Sequence, residues 1–356
     1  MLYFDHNATH PLSATAKRVW LEAVERFPAN ASSPHRLGQR ADAALQDARG
    51  RLAKMLGCGA DEVVFTSGAT EAANTVLAQF AGREVVISAI EHPCVRESVR
   101  ASELRVSAAG VVDLAELKTQ RPALVALMAA NNETGVLQPW QAALALCRER
   151  GVPLFCDAVQ WLGRLPAAGL GACDFVSGSA HKFGGPQGVG FLKCPRHFPP
   201  LLHGGPQEDG RRAGTENIAG VLAMVAALEE REAAMHGIAE RLAWRGEFEQ
   251  ALGFRTLGAG VDRLWNTAAV VMPEPPDCRR RWVVVLDRLG FAVSTGSACA
   301  SGKEKPSHVL TAMGLPPGEA ARVLRFSAGW ETTREDWQRL LAGVRAAQVE
   351  ATPPSL

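Results

Sequence analysis

The sequence predicts an α/β fold, a mostly parallel sheet covered by helices, followed by a second, smaller domain. Three observations lead there. Short apolar runs at residues 84–89, 123–129, 153–157, 173–177 and 188–192 recur along the chain, several separated by helical stretches such as 140–150. Polar residues follow four of these runs in succession: Glu91 and His92, then Asn131, Asn132 and Glu133, then Asp157 and Gln160, then Lys182. From Thr267 the pattern changes to shorter units, AAVVMP, RRWVVVLDRLG, FAVST and RVLRFSAG, before a last helix near 334–348. In open α/β sheets ligands gather at the carboxyl ends of strands, so the polar series marks a candidate site.

In chain order, YFDHNATHP reads as an extended segment punctuated by Asn7 and Pro11, and Ser13 offers a cap for a helix running to about residue 27. An alanine-rich helix over 37–56 ends at Gly57 and Gly59. EVVFTSGATEAANTVLAQF then reads as strand, tight turn and helix. Ser67, Gly68, Ala69 and Thr70 open that helix, so free N–H groups, the helix dipole and two hydroxyls converge where a phosphate could sit; an ordinary helix cap is the competing reading. Neither GxxxxGK[ST] nor a dinucleotide fingerprint is present, which disfavours a nucleotide. In FVSGSAHKFGGPQGVGF, Gly184, Gly185 and Pro186 block a helix and leave Lys182 at the tip of a strand beside His181. A lysine desolvated there can form an imine with a carbonyl cofactor, whereas a solvated loop lysine is the bland alternative. A polar stretch, HGGPQEDGRRAGTEN, precedes one long helix predicted over 218–252.

At 356 residues and 47% hydrophobic content the chain can bury a large core and two domains. A net charge of +1 argues against nucleic acid or a polybasic membrane patch as partner. There is no signal-like amino terminus and no span of about 20 apolar residues, so the expected location is cytoplasmic. The eight cysteines show neither CxxC pairs nor Cys/His ligand spacing, so neither a disulfide framework nor a zinc site is expected, and no residue is singled out as a metal ligand. Cys156 and Cys173 lie in apolar runs, but Cys299 lies among Gly296, Ser297, Ser301 and Gly302, which suit a loop.

The series YFDHNAT, NASSPHRLG, TSGATEAAN, the EH pair, NNETG, DAVQ, SGSAHKFGGPQGVG, RAGTEN, STGSACAS and RFSAG resembles, in this order, the NifS/IscS-like cysteine desulfurases. These belong to the class-V aminotransferase family of fold-type I pyridoxal-phosphate enzymes. The resemblance spans nearly the whole chain. It implies an N-terminal segment (1–14) packed with the small domain, a large cofactor domain (15–255) with a seven-stranded, mostly parallel sheet, and a small α+β domain (256–356) carrying a cysteine loop. It further implies that Lys182 carries pyridoxal phosphate as an imine and later moves protons. Asp157 would face the pyridine nitrogen, His92 stack on the ring, and Gln160 bond the phenolic oxygen, with Asn132 near that oxygen and the substrate carboxylate. Strand-end caps and structural roles compete for Asp157, His92 and the two amides. Ala69, Thr70, Ser179 and His181 align with the phosphate cradle, and Thr215 with a threonine reaching the phosphate of the neighbouring subunit, which implies a homodimer with shared active sites. Arg325 aligns with the arginine that pairs with the substrate's α-carboxylate.

Cys299 is the implied nucleophile, with Lys303 and Lys305 near enough in sequence to favour its thiolate; a solvated loop face also explains the two lysines. The reaction so implied removes sulfur from L-cysteine, giving L-alanine and a persulfide on Cys299 for a sulfur-acceptor protein such as an iron–sulfur scaffold. A selenocysteine lyase, another aminotransferase- or kynureninase-like enzyme with this cofactor, and a catalytically silent binding protein are the alternatives. Three departures stand out: His10 replaces the more usual threonine, and Pro206 and Asp209 interrupt a stretch usually richer in glycine and arginine. The chain ends at Leu356 without the longer tail by which some relatives engage a scaffold protein.

Overall fold

The computed structural model describes residues 1–273, 278–296 and 307–351. The chain opens with β1 (Leu2–Tyr3), α1 (Ala14–Arg26) and α2 (Arg36–Leu56). Ser13 caps α1 by accepting the Ala16 N–H, and Gly57, left-handed at φ 80°, closes α2. Next come β2 (Val63–Thr66), α3 (Ala69–Ala78), β3 (Val85–Ser88), α4 (Pro93–Arg96), β4 (Ser102–Leu104), β5 (Leu124–Met128) and α5 (Trp140–Arg150). They are followed by β6 (Leu154–Asp157), β7 (Phe175–Ser179), β8 (Gly190–Lys193), α6 (Ile218–Ala233) and α7 (Ile238–Leu252). The remainder comprises β9 (Thr267–Val271), α8 (Cys278–Arg288), β10 (Phe291–Ala292), α9 (His308–Ala312), α10 (Pro317–Ala320), β11 (Val323–Ser327) and α11 (Arg334–Ala351).

Among the described residues the main sheet has seven strands in the order β2-β8-β7-β6-β5-β3-β4, and β8 alone runs against its neighbours. Alternate residues of one strand enter different cores, as the pleat requires. Val63, Phe65, Val86, Val125 and Leu127 pack with α2, α5 and α6, while Val64, Val85, Ile87, Leu124 and Ala126 pack with α3. Burial on both faces is why these strands read as unbroken apolar runs. A third core gathers Phe4, Trp265, Trp282, Phe326, Trp330 and Trp337 around the antiparallel pair β9/β11 and helices α7, α8 and α11. The amino terminus joins it, because β1 pairs in parallel with β10. No described helix is long and apolar enough to cross a membrane.

The single helix expected over 218–252 is two helices, separated by a tight turn at Met235–Gly237. The break lets the chain change partners: α6 lies against α1 and α2, and α7 against α11 and β9. Gly237 is the one breaker there, but a lone glycine also occurs within helices, and it is the change of packing partner that ends this one. Strands β1 and β4 were not foreseen either. They are two and three residues long, too short to show a period, and two of the three residues in β4 are exposed.

The departures at Pro206 and Asp209 bracket a buried ion pair. Pro206 precedes the turn Gln207–Gly210, in which Glu208 and Asp209 take left-handed φ values of 50° and 56°. Glu208 is thereby turned inward, where it accepts two hydrogen bonds from Arg49 at 2.7 and 2.9 Å and one from the Phe65 N–H at 2.9 Å. This ties α2, β2 and the turn together. Glu208→Ala should cost about 3–5 kcal/mol, since it strands the buried Arg49 cation. Urea unfolding of the two proteins measures the difference, and a loss near zero would show that Arg49 finds another partner.

Candidate active site

β7 ends at Ser179 and the chain turns through Ala180–Lys182. The turn is held by its carbonyls. His181 O accepts the His10 N–H at 2.6 Å, Phe183 O accepts Arg231 Nε at 3.1 Å, and Gly184 O accepts the Ser13 N–H at 2.9 Å. Gly184 has φ 93°, and a Cβ there would lie 2.9 Å from Arg231 Nη2, so only glycine suits both the conformation and the space. Lys182 Nζ donates to Asn7 O and Ala8 O, each at 2.8 Å.

Asn7 is a hub that the sequence reading missed. Its N–H donates to Ser327 Oγ at 3.0 Å, its Nδ2 donates to Thr267 Oγ1 at 2.9 Å, and its Oδ1 accepts Asn266 Nδ2 at 3.1 Å. Its carbonyl also takes Gln160 Nε2 at 3.0 Å. The bonds that give Asn7 this place come from residues far away in sequence, and DHNAT by itself carries no sign of them.

Asp157 closes β6 and is buried, accepting the Val159 N–H at 3.0 Å and Ser177 Oγ at 3.2 Å. Burial pushes its carboxyl up, against the downward pull of those bonds and of His92 and Lys182. His92 caps α4 by accepting the Cys94 N–H on Nδ1 at 3.2 Å, and burial pulls its imidazole down. Its neighbour Glu91 is wholly buried, with Oε1 accepting from Ser88 Oγ at 2.5 Å and from the Met128 N–H at 2.7 Å, while Oε2 has no partner. Burial pushes Glu91 up to about 8, so it is protonated at neutral pH.

Opposite, α3 begins at Ala69. Ser67 N–H is taken by Glu71 Oε2 at 2.8 Å, and Glu71 is itself held by Arg212 at 2.9 Å. His181 Nδ1 lies 3.1 Å from Thr9 Oγ1, and burial with the charges of Lys182 and Arg164 pushes its imidazole down to about 4, so the ring is neutral. Arg325, on β11, is buried and already engaged. Its Nη2 donates to Asp5 Oδ1 at 2.6 Å, and its Nη1 to Asn132 O at 2.9 Å and Gly296 O at 3.1 Å, leaving Nε without a partner. Asp5 was not foreseen as its counter-ion.

Ala69, Thr70, His92, Asn132, Asp157, Gln160, Ser179, His181, Lys182 and Arg325 all line one cavity of about 1080 Å³, roomy enough for a cofactor with a small substrate. Thr215 does not; it is exposed and away from the cavity of its own chain. Cys299, Lys303 and Lys305 lie outside the described residues. The residues flanking them, Gly296 and Ser307, line the cavity, and Ser307 Oγ donates to Glu133 Oε2 at 2.7 Å. His308 also faces the cavity, with Nε2 2.8 Å from Glu91 O.

The aminotransferase class-V family model matches residues 2–340. The chain belongs to that family. It is 38% identical to a cysteine desulfurase of Cereibacter sphaeroides, over 96% of this chain and 94% of the relative, and 35% identical to the cysteine desulfurase IscS of Dictyoglomus turgidum, over 94% and 91%. Among solved structures, a NifS-like protein superposes with a TM-score of 0.90 at 30% identity, covering 98% of this chain and 99% of that one. SspA, solved in complex with cysteine, gives 0.81 at 28% identity, covering 94% and 100%.

Class-V aminotransferases of this kind depend on pyridoxal phosphate, and the residues present fit it. The cavity offers an amine on a clamped turn, a buried carboxylate, and a helix N-terminus flanked by Thr70 and Ser179. Gln160 Oε1 is buried on the same wall without a donor, and Gln160 Nε2 keeps a second hydrogen beyond the one given to Asn7.

Glu91 makes a pH prediction possible. An unfolded glutamate titrates near 4.3. Between that value and about 8 the folded protein therefore holds a proton that the unfolded chain has lost, and stability declines as pH rises through the window. Glu91→Gln keeps the Oε1 acceptor and removes the titration, so it should flatten the decline. Denaturant midpoints of both proteins at pH 5, 7 and 8.5 provide the check, and parallel profiles would mean that Glu91 is ionised in the folded state.

Proposed function

We propose that the chain is a cysteine desulfurase in which Lys182 holds pyridoxal phosphate, Arg325 and Asn132 hold the carboxylate of L-cysteine, and Cys299 receives the sulfur. The observation that carries this reading is the shared cavity, where Lys182, Asp157 and His92 stand together with Arg325. Relatives named cysteine desulfurases, similar over almost the whole chain, support the same substrate.

When bound, pyridoxal phosphate supplies an electron sink that loosens bonds at the substrate's α and β carbons. Asp157 would hold a proton on the pyridine nitrogen, and the charge of that ring would offset the cost of burying the carboxylate. His92 would pack on the ring face, and Gln160 donate its second N–H to the phenolic oxygen. Ala69, Thr70, Ser179 and His181 would bind the phosphate, with α3 presenting its N-terminus. Lys182 Nζ would move a proton at the substrate's α carbon. For Arg325 to take a carboxylate it must share its guanidinium with Asp5, and its unpartnered Nε is the donor still available.

Cys299 accepts the sulfur as a persulfide while L-alanine leaves, since transfer of neutral sulfur needs a soft nucleophile. Thr215, exposed on its own chain, would reach the phosphate in the cavity of a second copy, which makes the active unit a homodimer. A cytoplasmic acceptor such as an iron–sulfur scaffold protein would then take the persulfide.

Borohydride reduction and peptide mapping test the first assignment. The cofactor should map to Lys182, and Lys182→Ala should lose covalent attachment; reduction onto another lysine would overturn the site. Cys299→Ser should keep the cofactor absorbance yet release little alanine. After one turnover of wild type, mass spectrometry should find the persulfide on Cys299, and its appearance mainly on Cys94 or Cys156 would assign another nucleophile.

A further inference from the structure

Beside the lysine turn and outside the cavity lining, the N-terminal segment and the loop after β11 bring together His6, His10 and Glu331. One ligand atom from each lies within 4.8 Å of the others, and no other such group occurs among the described residues. The hydrogen bonds fix both imidazole tautomers. His6 Nδ1 lies 3.0 Å from Ser327 O and His10 Nδ1 2.7 Å from Pro11 O. A carbonyl oxygen only accepts, so each Nδ1 carries a hydrogen, and in the neutral ring the lone pair is on Nε2. A backbone carbonyl on the remote nitrogen is the arrangement that orients histidine ligands of metal ions.

His10 Nε2 is buried, has no hydrogen-bond partner, and faces Glu331 Oε2 at 3.3 Å. A lone pair opposed to a carboxylate oxygen at that distance requires a positive species between or on them. The His6 ring packs edge-on to that of His10, with centroids 4.7 Å apart, and brings its own ligand nitrogen within 4.8 Å of the other two ligand atoms. A distance of 3.3 Å is also the spacing expected for two ligands on a tetrahedral ion with bonds of about 2.0–2.1 Å.

We propose that His6, His10 and Glu331 form a binding site for a divalent cation of the zinc class, with water as its fourth ligand. The surrounding charges select the type of ion. Arg231 holds Glu331 Oε1 at 2.8 Å, and Arg164 reaches the His6 carbonyl at 3.2 Å. Arg231 pairs with the carboxylate, but the two guanidiniums oppose a hard ion held by charge alone, such as Mg²⁺ or Ca²⁺. Imidazole donors favour zinc. Glu331 is 58% exposed, which provides both an entry path and room for the water. Because Arg231 and His10 also hold the carbonyls on either side of Lys182, the ion would brace the lysine turn from behind.

The test uses full-length holoenzyme carrying Cys299→Ser, so that this thiol cannot hold metal. After chelator treatment and dialysis against Zn²⁺, elemental analysis should find one tightly held zinc per chain, and its addition should raise the melting temperature. His10→Thr and Glu331→Gln, each confirmed as folded by retained cofactor absorbance, should weaken binding by more than about tenfold and abolish the rise in melting temperature. Zinc binding that survives both substitutions, or no stoichiometric zinc in the parent, would overturn the site and leave His10 and Glu331 as an ion pair.

Discussion

The hydrogen bonds from Lys182 Nζ to Asn7 O and Ala8 O decide how the rest of the site is arranged. They draw the N-terminal segment across the end of the main sheet. That segment then carries Asp5 to Arg325, Thr9 to His181 and Asn7 to Gln160, Thr267 and Ser327. Since β1 is paired with β10 and Phe4 is buried in the third core, the same nine residues connect both parts of the fold to one amine.

The site concentrates buried polar groups whose charges must be balanced locally. Asp157 faces the fields of His92 and Lys182, Arg325 is matched by Asp5, and Glu91 is neutral through its proton. His92 and His181 are both driven toward their neutral forms. A cavity in which His92 and His181 are driven toward neutrality and Asp157 lies in the field of Lys182 can accept an anionic, aromatic cofactor. That balance is a product of strand ends placed near one another in a single sheet, since β3, β6 and β7 each deliver one part of it.

Much of the main sheet was legible because its strands are buried on both faces. Val85–Ser88, Leu124–Met128 and Leu154–Asp157 have no solvent side to interrupt them with polar residues. The polar residues just beyond them were legible by contrast, because four apolar runs in succession each end on one. The short pairings of β1 and β4 and the turn between α6 and α7 were hidden. Their cause is the surface against which each element lies, and neither composition nor periodicity records that surface.

By itself the sequence determined the chemistry available and its order: a lysine after one strand, an aspartate and a glutamine after another, a histidine after a third, and a cysteine in a stretch of glycine and serine. It also determined the local conformations that glycine and a capping serine dictate, as at Gly184 and Ser13. Only the tertiary structure decided the partners. Asp5 and Arg325 are 320 positions apart, as are Asn7 and Ser327, and Arg49 meets Glu208 across 159. Their pairing follows from burial, because a polar group removed from water takes whichever complementary group the packed chain places beside it, at whatever distance along the sequence.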